Sequence, residues 1–162
     1  MNENNYSEHA VEVHQTAEMK AKRVAVIGLT AVSLVLSLMV FWGFLVLTAV
    51  GAVGCYLAYL SSNMEYETIY LDGTLEISAV YQKSRRKKKF HCEMKNVAGY
   101  HLGQKEDAVR LGKITRDYSS HAKGQSCCVM KVGTEKGTHV ICFEPGSELE
   151  EILERRYRTL KA

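Results

Sequence analysis

From Val24 to Leu60 the chain shows neither of the two periods that mark a half-buried element, because 37 consecutive residues contain no Asp, Glu, Lys, Arg or His. Nineteen of them are Val, Ile, Leu or Phe, each favouring a bilayer centre by roughly 0.3–0.6 kcal/mol. The run is predicted to enter a membrane. As a single helix it would measure about 55 Å against a hydrocarbon core of about 30 Å, so it is expected to double back. The turn falls at Phe41-Trp42-Gly43, where glycine permits the bend and the rings suit the headgroup level. The reading is a transmembrane hairpin over residues 21–61, with helices at Ala21 to Val40 and Phe44 to Leu60. Thr30, Ser33 and Ser37 on one helix and Thr48, Gly51, Cys55 and Ala58 on the other form small-residue stripes that allow close approach in lipid. A cleaved signal peptide is excluded, since its apolar core runs to about 7–15 residues behind a basic start, whereas this run is longer and follows mainly polar residues.

Beyond Leu60 the pattern changes to alternation, the mark of strands with one buried face. Tyr66, Thr68 and Tyr70 alternate with Glu65, Glu67 and Ile69, and Asp72-Gly73 reads as a hairpin turn. Leu75, Ile77, Ala79 and Tyr81 then share one face. The charge run Lys83 to Lys89 reads as the next turn, followed by Phe90, Cys92 and Met94, then Val97 to Leu102. Residues 103–125 read as a polar excursion with a helical turn around Glu106 to Leu111. Ser126 to Val132 and Thr138 to Glu144 make the last of six strands, joined by a hairpin loop at 133–137. Pro145-Gly146 breaks the sheet, Ser147 and Glu150 are spaced as a capping box, and Leu149, Ile152, Leu153, Tyr157 and Leu160 line one face of a closing amphipathic helix. Residues 1–20 have no sustained apolar period and read as a disordered cytoplasmic tail. The domain is therefore expected at 62–162.

Length leaves room for one small domain beside the hairpin. The net charge of +3 is unevenly distributed: residues 1–23 hold four acids and three bases, residues 61–162 hold 14 acids and 18 bases. Lys20, Lys22 and Arg23 flank the apolar run and its turn has no base, so both termini are expected in the cytoplasm. Five cysteines, one of them within the apolar run, fit a reducing compartment better than a disulfide framework.

The sharpest local feature is Lys83, Arg85, Arg86, Lys87, Lys88 and Lys89, a candidate surface for lipid or a protein partner. Each base near an anionic leaflet is worth about 1 kcal/mol. Nucleic acid is not an expected partner, because no aromatic stacking platform interleaves the run. Cys127, Cys128, Cys142 and His139 form the alternative, a thiol- or metal-handling site, against which adjacent strand residues point to opposite faces. Asp117, Ser119, Ser120 and His121 contain the residue types of a hydrolytic site, but adjacency in sequence is not triad geometry. No catalytic residue, metal or cofactor is expected. The partners expected are the bilayer, anionic headgroups, a protein partner and further copies of the chain.

Met64-Glu65-Tyr66-Glu67, Asp72-Gly73-Thr74-Leu75-Glu76-Ile77, the cluster Arg85 to Lys89 and Phe143-Glu144-Pro145 ahead of a helix resemble a family of small two-helix bacterial membrane proteins with a pleckstrin-homology-like (PH-like) domain. The resemblance covers roughly residues 20–160 and carries no established catalytic or ligand-binding residue. It implies an α+β membrane protein in which a two-helix transmembrane hairpin precedes a mainly antiparallel β PH-like domain with one C-terminal amphipathic helix. The function expected is that of a membrane-anchored, non-enzymatic interaction or scaffold module in the bacterial cell membrane.

Overall fold

Tyr6–Glu12 forms a strand, β1, ahead of two helices, α1 (Ala17–Met39) and α2 (Phe44–Leu60). Strands β2 (Met64–Leu71), β3 (Thr74–Tyr81), β4 (Arg85–Glu93), β5 (Val97–Gly103), β6 (Arg116–Tyr118), β7 (Cys127–Thr134) and β8 (Gly137–Phe143) follow. The helix α3 (Gly146–Arg156) and a 3-10 turn at Arg158–Leu160 end the chain. The computed structural model describes residues 5–60, 62–122, 124–134 and 137–162. Residues 135 and 136 of the expected hairpin loop, and the first four of the expected tail, lie outside the described residues.

Two four-stranded sheets result. One has the order β1-β2-β3-β4 and is antiparallel throughout; the other has the order β5-β7-β8-β6, with β6 parallel to β8. Asp72 and Gly73 turn β2 into β3 with φ of 45° and 83°, the left-handed pair that a two-residue hairpin loop requires. That loop fixes the register Leu71 to Thr74 and so sends Leu75, Ile77 and Ala79 to the core, where all three are buried. They pack with Tyr70, Phe90, Cys92, Met130, Ile141 and Phe143, and α3 covers the assembly with Leu149, Ile152 and Leu153. Tyr100 is fully buried and its hydroxyl donates to Leu153 O at 2.9 Å, so the ring is sealed without an unpaired polar atom.

Three expectations are corrected. Residues 1–20 are not a disordered tail in their described part. β1 pairs with β2 from Tyr6 opposite Leu71 to Glu12 opposite Glu65, and Ala17 to Lys20 already belong to α1. The strand carries little apolar content because backbone pairing, which closes an otherwise open edge of β2, holds it in place. The sheet domain is thus not confined to 62–162. Second, β6 and β1 raise the strands from six to eight; β6 lies in the polar excursion, where a three-residue strand leaves too short a pattern to read. Third, no side chain caps α3, which begins at Gly146 rather than behind Ser147. Gly146 has a φ of 70° and lies where a Cβ would come within 2.8 Å of the His9 ring, so β1 packs where the cap would sit.

Thr16 caps α1 by accepting from Met19 N, and Glu18 pairs with Lys22 one turn on at 2.7 Å. The expected small-residue stripes face each other. Ser33 Oγ and Thr48 Oγ1 are 2.9 Å apart, Thr30 Oγ1 lies 3.6 Å from Cys55 Sγ, and a Cβ on Gly51 would strike Thr30. At the open end Arg23 Nη2 donates to Ala58 O at 3.1 Å. The remaining apolar side chains point outward, with Leu38 78% and Trp42 82% exposed. Among the described residues α1 alone is long and apolar enough to cross a membrane; α2 is apolar throughout but shorter.

Candidate basic interaction site

The basic run is not a turn but half a strand. Arg85, Arg86, Lys87 and Lys88 pair with Tyr81, Val80, Ala79 and Ser78 in turn, and Lys89 is the extra residue of a bulge before Phe90 resumes pairing with Ile77. The turn proper is Tyr81 to Ser84, closed by Ser84 N to Tyr81 O at 3.1 Å. Its central residues, Gln82 and Lys83, have φ of 51° and 54°. Neither is glycine, and a left-handed residue of this kind costs about 1–2 kcal/mol. The strain is offset by bonds to the end of α2: Gln82 N donates to Asn63 O at 2.9 Å and Gln82 Nε2 to Tyr59 O at 3.1 Å. Because Met64 is the register partner of Tyr81, and Tyr81 of Arg85, the basic run starts at the end of the sheet from which the helices emerge.

Alternation and the bulge divide the charges. Arg86 and Lys88 lie on the outer face, where Arg86 Nη2 is 2.6 Å from Glu67 Oε1 and Lys88 Nζ is 2.5 Å from Glu76 Oε2; Lys83 sits 3.7 Å from Glu65. Burial pushes the Glu67 carboxyl up, against the opposing pull of the Arg86 guanidinium, and the nearby Glu8 carboxyl adds to the rise. Lys89 Nζ lies 5.6 Å from the centre of the Tyr81 ring, within cation–π range. No described carboxylate pairs with Arg85 or Lys87. Sequence reading missed the three neutralising glutamates because it placed the run in a turn. Read as a strand, the same alternation would have set Glu67 and Glu76 beside it.

The excursion holds a second polar cluster. Lys105 Nζ donates to Asp117 Oδ2 at 2.8 Å and to Ser119 Oγ at 2.6 Å, while Ser119 Oγ and N both donate to Asp117 Oδ1, at 2.7 and 3.0 Å. Ser120 bonds through N and Oγ to the buried Glu144 carboxylate, at 2.7 and 2.6 Å. His121 Nδ1 reaches only to within 3.6 Å of Asp117. The Ser119 hydroxyl is buried, with its proton on a carboxylate and a lone pair on an ammonium, so it is tied down rather than activated. These bonds tie Lys105 to Asp117 in β6 and Ser120 to Glu144 just past the end of β8.

Burial raises the Asp117 carboxyl, but the bonds from Lys105 and Ser119 outweigh it and leave the group below its usual 3.8. A depressed folded value means stability that is complete above pH 3.8 and lost as pH falls through the folded value. Asp117→Asn is expected to cost about 1–2 kcal/mol at pH 7, with the gap closing in urea unfolding as pH falls below 3.8.

The four residues of the thiol- or metal-handling alternative are divided between the two faces of the sheet. Cys127 and Cys142 share a small core with Ala108, Leu111, Val129 and Val140. Cys128 and His139 face the other way, with Cys128 in register with Phe143. All five cysteines are free, burial pushes the Cys92 thiol up to about 12 and the Cys128 thiol well above the ordinary range, and no group of three ligating residues that could hold a metal occurs among the described residues.

No curated protein and no solved structure matches the chain. The family model described as Bacterial PH-like domain (DUF6106) matches residues 3–159, taking in β1, both apolar helices, the two sheets and α3. On that match the chain belongs to the bacterial PH-like domain family.

Proposed function

We propose that the protein is a membrane-anchored, non-enzymatic interaction module of the bacterial cell membrane, held by a two-pass hairpin with both termini in the cytoplasm. The carrying observation is the pairing of β1 with β2. One strand precedes α1 and the other follows α2, so both lie on the same side of anything the helices enter, and a chain that crosses with α1 must return with α2. The outward-facing apolar side chains support this, since a soluble protein leaves no apolar surface of such extent uncovered. With 17 residues α2 is about 25 Å long, a shortfall a bilayer accommodates by modest thinning. Lys20, Lys22 and Arg23 at the open end favour the cytoplasmic side.

In this reading the domain stands with Lys83 to Lys89 toward the anionic inner leaflet. Three of these charges are neutralised by Glu65, Glu67 and Glu76, which leaves Arg85, Lys87 and Lys89. At about 1 kcal/mol each, Arg85 and Lys87, the two nearest the helices, bias orientation by about 2 kcal/mol, roughly thirtyfold. The hairpin supplies the anchoring, so this energy aims the domain. An environment-sensitive label on Ser84→Cys, in full-length protein in nanodiscs, measures it. Headgroup-borne quenchers are expected to reach the label more in phosphatidylglycerol-rich discs than in neutral ones, and changing Arg85 and Lys87 to Gln should abolish the difference. Equal quenching in both discs would remove the lipid-facing orientation from the proposal.

A further inference from the structure

Each four-stranded sheet has two edges, formed by β1 and β4 in one and by β5 and β6 in the other. β1 carries His14, just past its end, bonded to Ser120 O at 2.8 Å, and packs His9 on Gly146. β5 is bridged at Tyr100 by Lys161, with Ala162 N donating to Tyr100 O at 2.8 Å. β6 has three residues. Among the described residues, the nine-residue β4 has no strand on its outer side. Along its distal half, residues 89–93, runs a groove of about 470 Å³ whose far wall is formed by Arg116, Gly133, Thr134 and His139. Arg116 Nη1 crosses to Lys89 O at 3.4 Å, a long contact that marks a backbone acceptor on the open side.

The groove is cationic. Lys89 and Arg116 line it, and its described carboxylate, Glu93, is held by Lys95 at 2.5 Å. An open strand edge offers main-chain donors and acceptors that an extended peptide satisfies by joining the sheet, with flanking side chains setting specificity. Lysines on such an edge repel a second β4, which rules against a copy of this chain as occupant. Lys89 lies four residues from Arg85, about 14 Å along the strand, beyond the headgroup layer of about 5–7 Å.

We infer that this groove takes an acidic peptide segment of a partner protein, added in extended conformation to the edge of β4; this rests on the interaction-module reading above and supplies its partner class. The test uses full-length protein in phosphatidylcholine nanodiscs and two fluorescein-labelled octapeptides, one alternating Glu and Val, the other Lys and Val. The acidic peptide is expected to bind saturably by anisotropy and the basic one not, with slowed amide exchange at residues 89–93. Arg116→Glu should weaken binding about tenfold or more, the loss expected for one reversed contact charge, and Arg116→Gln by less. Lys89→Glu provides the second reversal should Arg116→Glu fail to fold. Equal binding of the two peptides, protection outside 89–93, folded charge-reversal variants of undiminished affinity, or displacement of the acidic peptide by phosphatidylglycerol vesicles would each overturn the assignment. Neutral discs remove headgroup attraction, so such a failure leaves the Ser84 quenching experiment, and the orientation it reads, standing.

Discussion

Arginine placed at both Val32 and Val50 is expected to drive the chain out of the membrane fraction. The two positions sit at matching depth, because Ser33 pairs with Thr48 and Thr30 with Gly51, and both side chains point outward. An arginine at mid-helix opposes insertion by about 2.5–3.5 kcal/mol, so the pair opposes it by about 5–7 kcal/mol. That rivals the total that the valines, leucines, isoleucines and phenylalanines contribute. Carbonate extraction and flotation should show the double variant in the pellet of aggregates or degraded, while the paired change to Leu floats with wild type. Flotation of the arginine variant would show that the hairpin is not held by lipid.

Phe143→Ala is expected to cost about 3–5 kcal/mol. The ring is fully buried where β8 meets the main core, in register with Cys128 and packed among Tyr100, Ile141 and Leu153. A domain of this size holds about 5–15 kcal/mol in all, so the variant loses a large share of its stability. Urea unfolding followed by the domain's tyrosines should show an early transition, with the helical signal of the apolar hairpin unchanged. Loss below about 1 kcal/mol would mean that the site refills. The neighbouring Glu144, whose carboxylate bonds Ser120 twice, explains why this corner has so little room to relax.

The sheet was legible wherever apolar alternation coincided with a turn. Asp72-Gly73 set one register, and Leu75, Ile77 and Ala79 fell on the core face as the pattern required. Leu149, Ile152 and Leu153 did the same for α3. What escaped was structure held by other forces. β1 turns Ser7, His9 and Val11 inward, too little apolar content to register as a strand, and forms because the β2 edge accepts its backbone. Five consecutive bases erase alternation, and the bulge at Lys89 shifts the phase besides, so the first half of β4 read as a turn. The tie from Lys105 to Asp117 spans 12 residues of polar chain and follows no repeat. The candidate site shows the same division: its residues were visible as a charge run, whereas their sorting by Glu65, Glu67 and Glu76 depends on strand pairing alone.

The pairing of β1 with β2 also constrains biogenesis. The ribosome delivers β1 first, and its only β-sheet neighbour emerges after both apolar helices, so the edge stays vacant until the hairpin is complete. In the proposed topology, a nascent chain that inserted α1 but left α2 behind would leave β1 across the bilayer from the rest of its sheet, and the sheet closes only when both helices are in place.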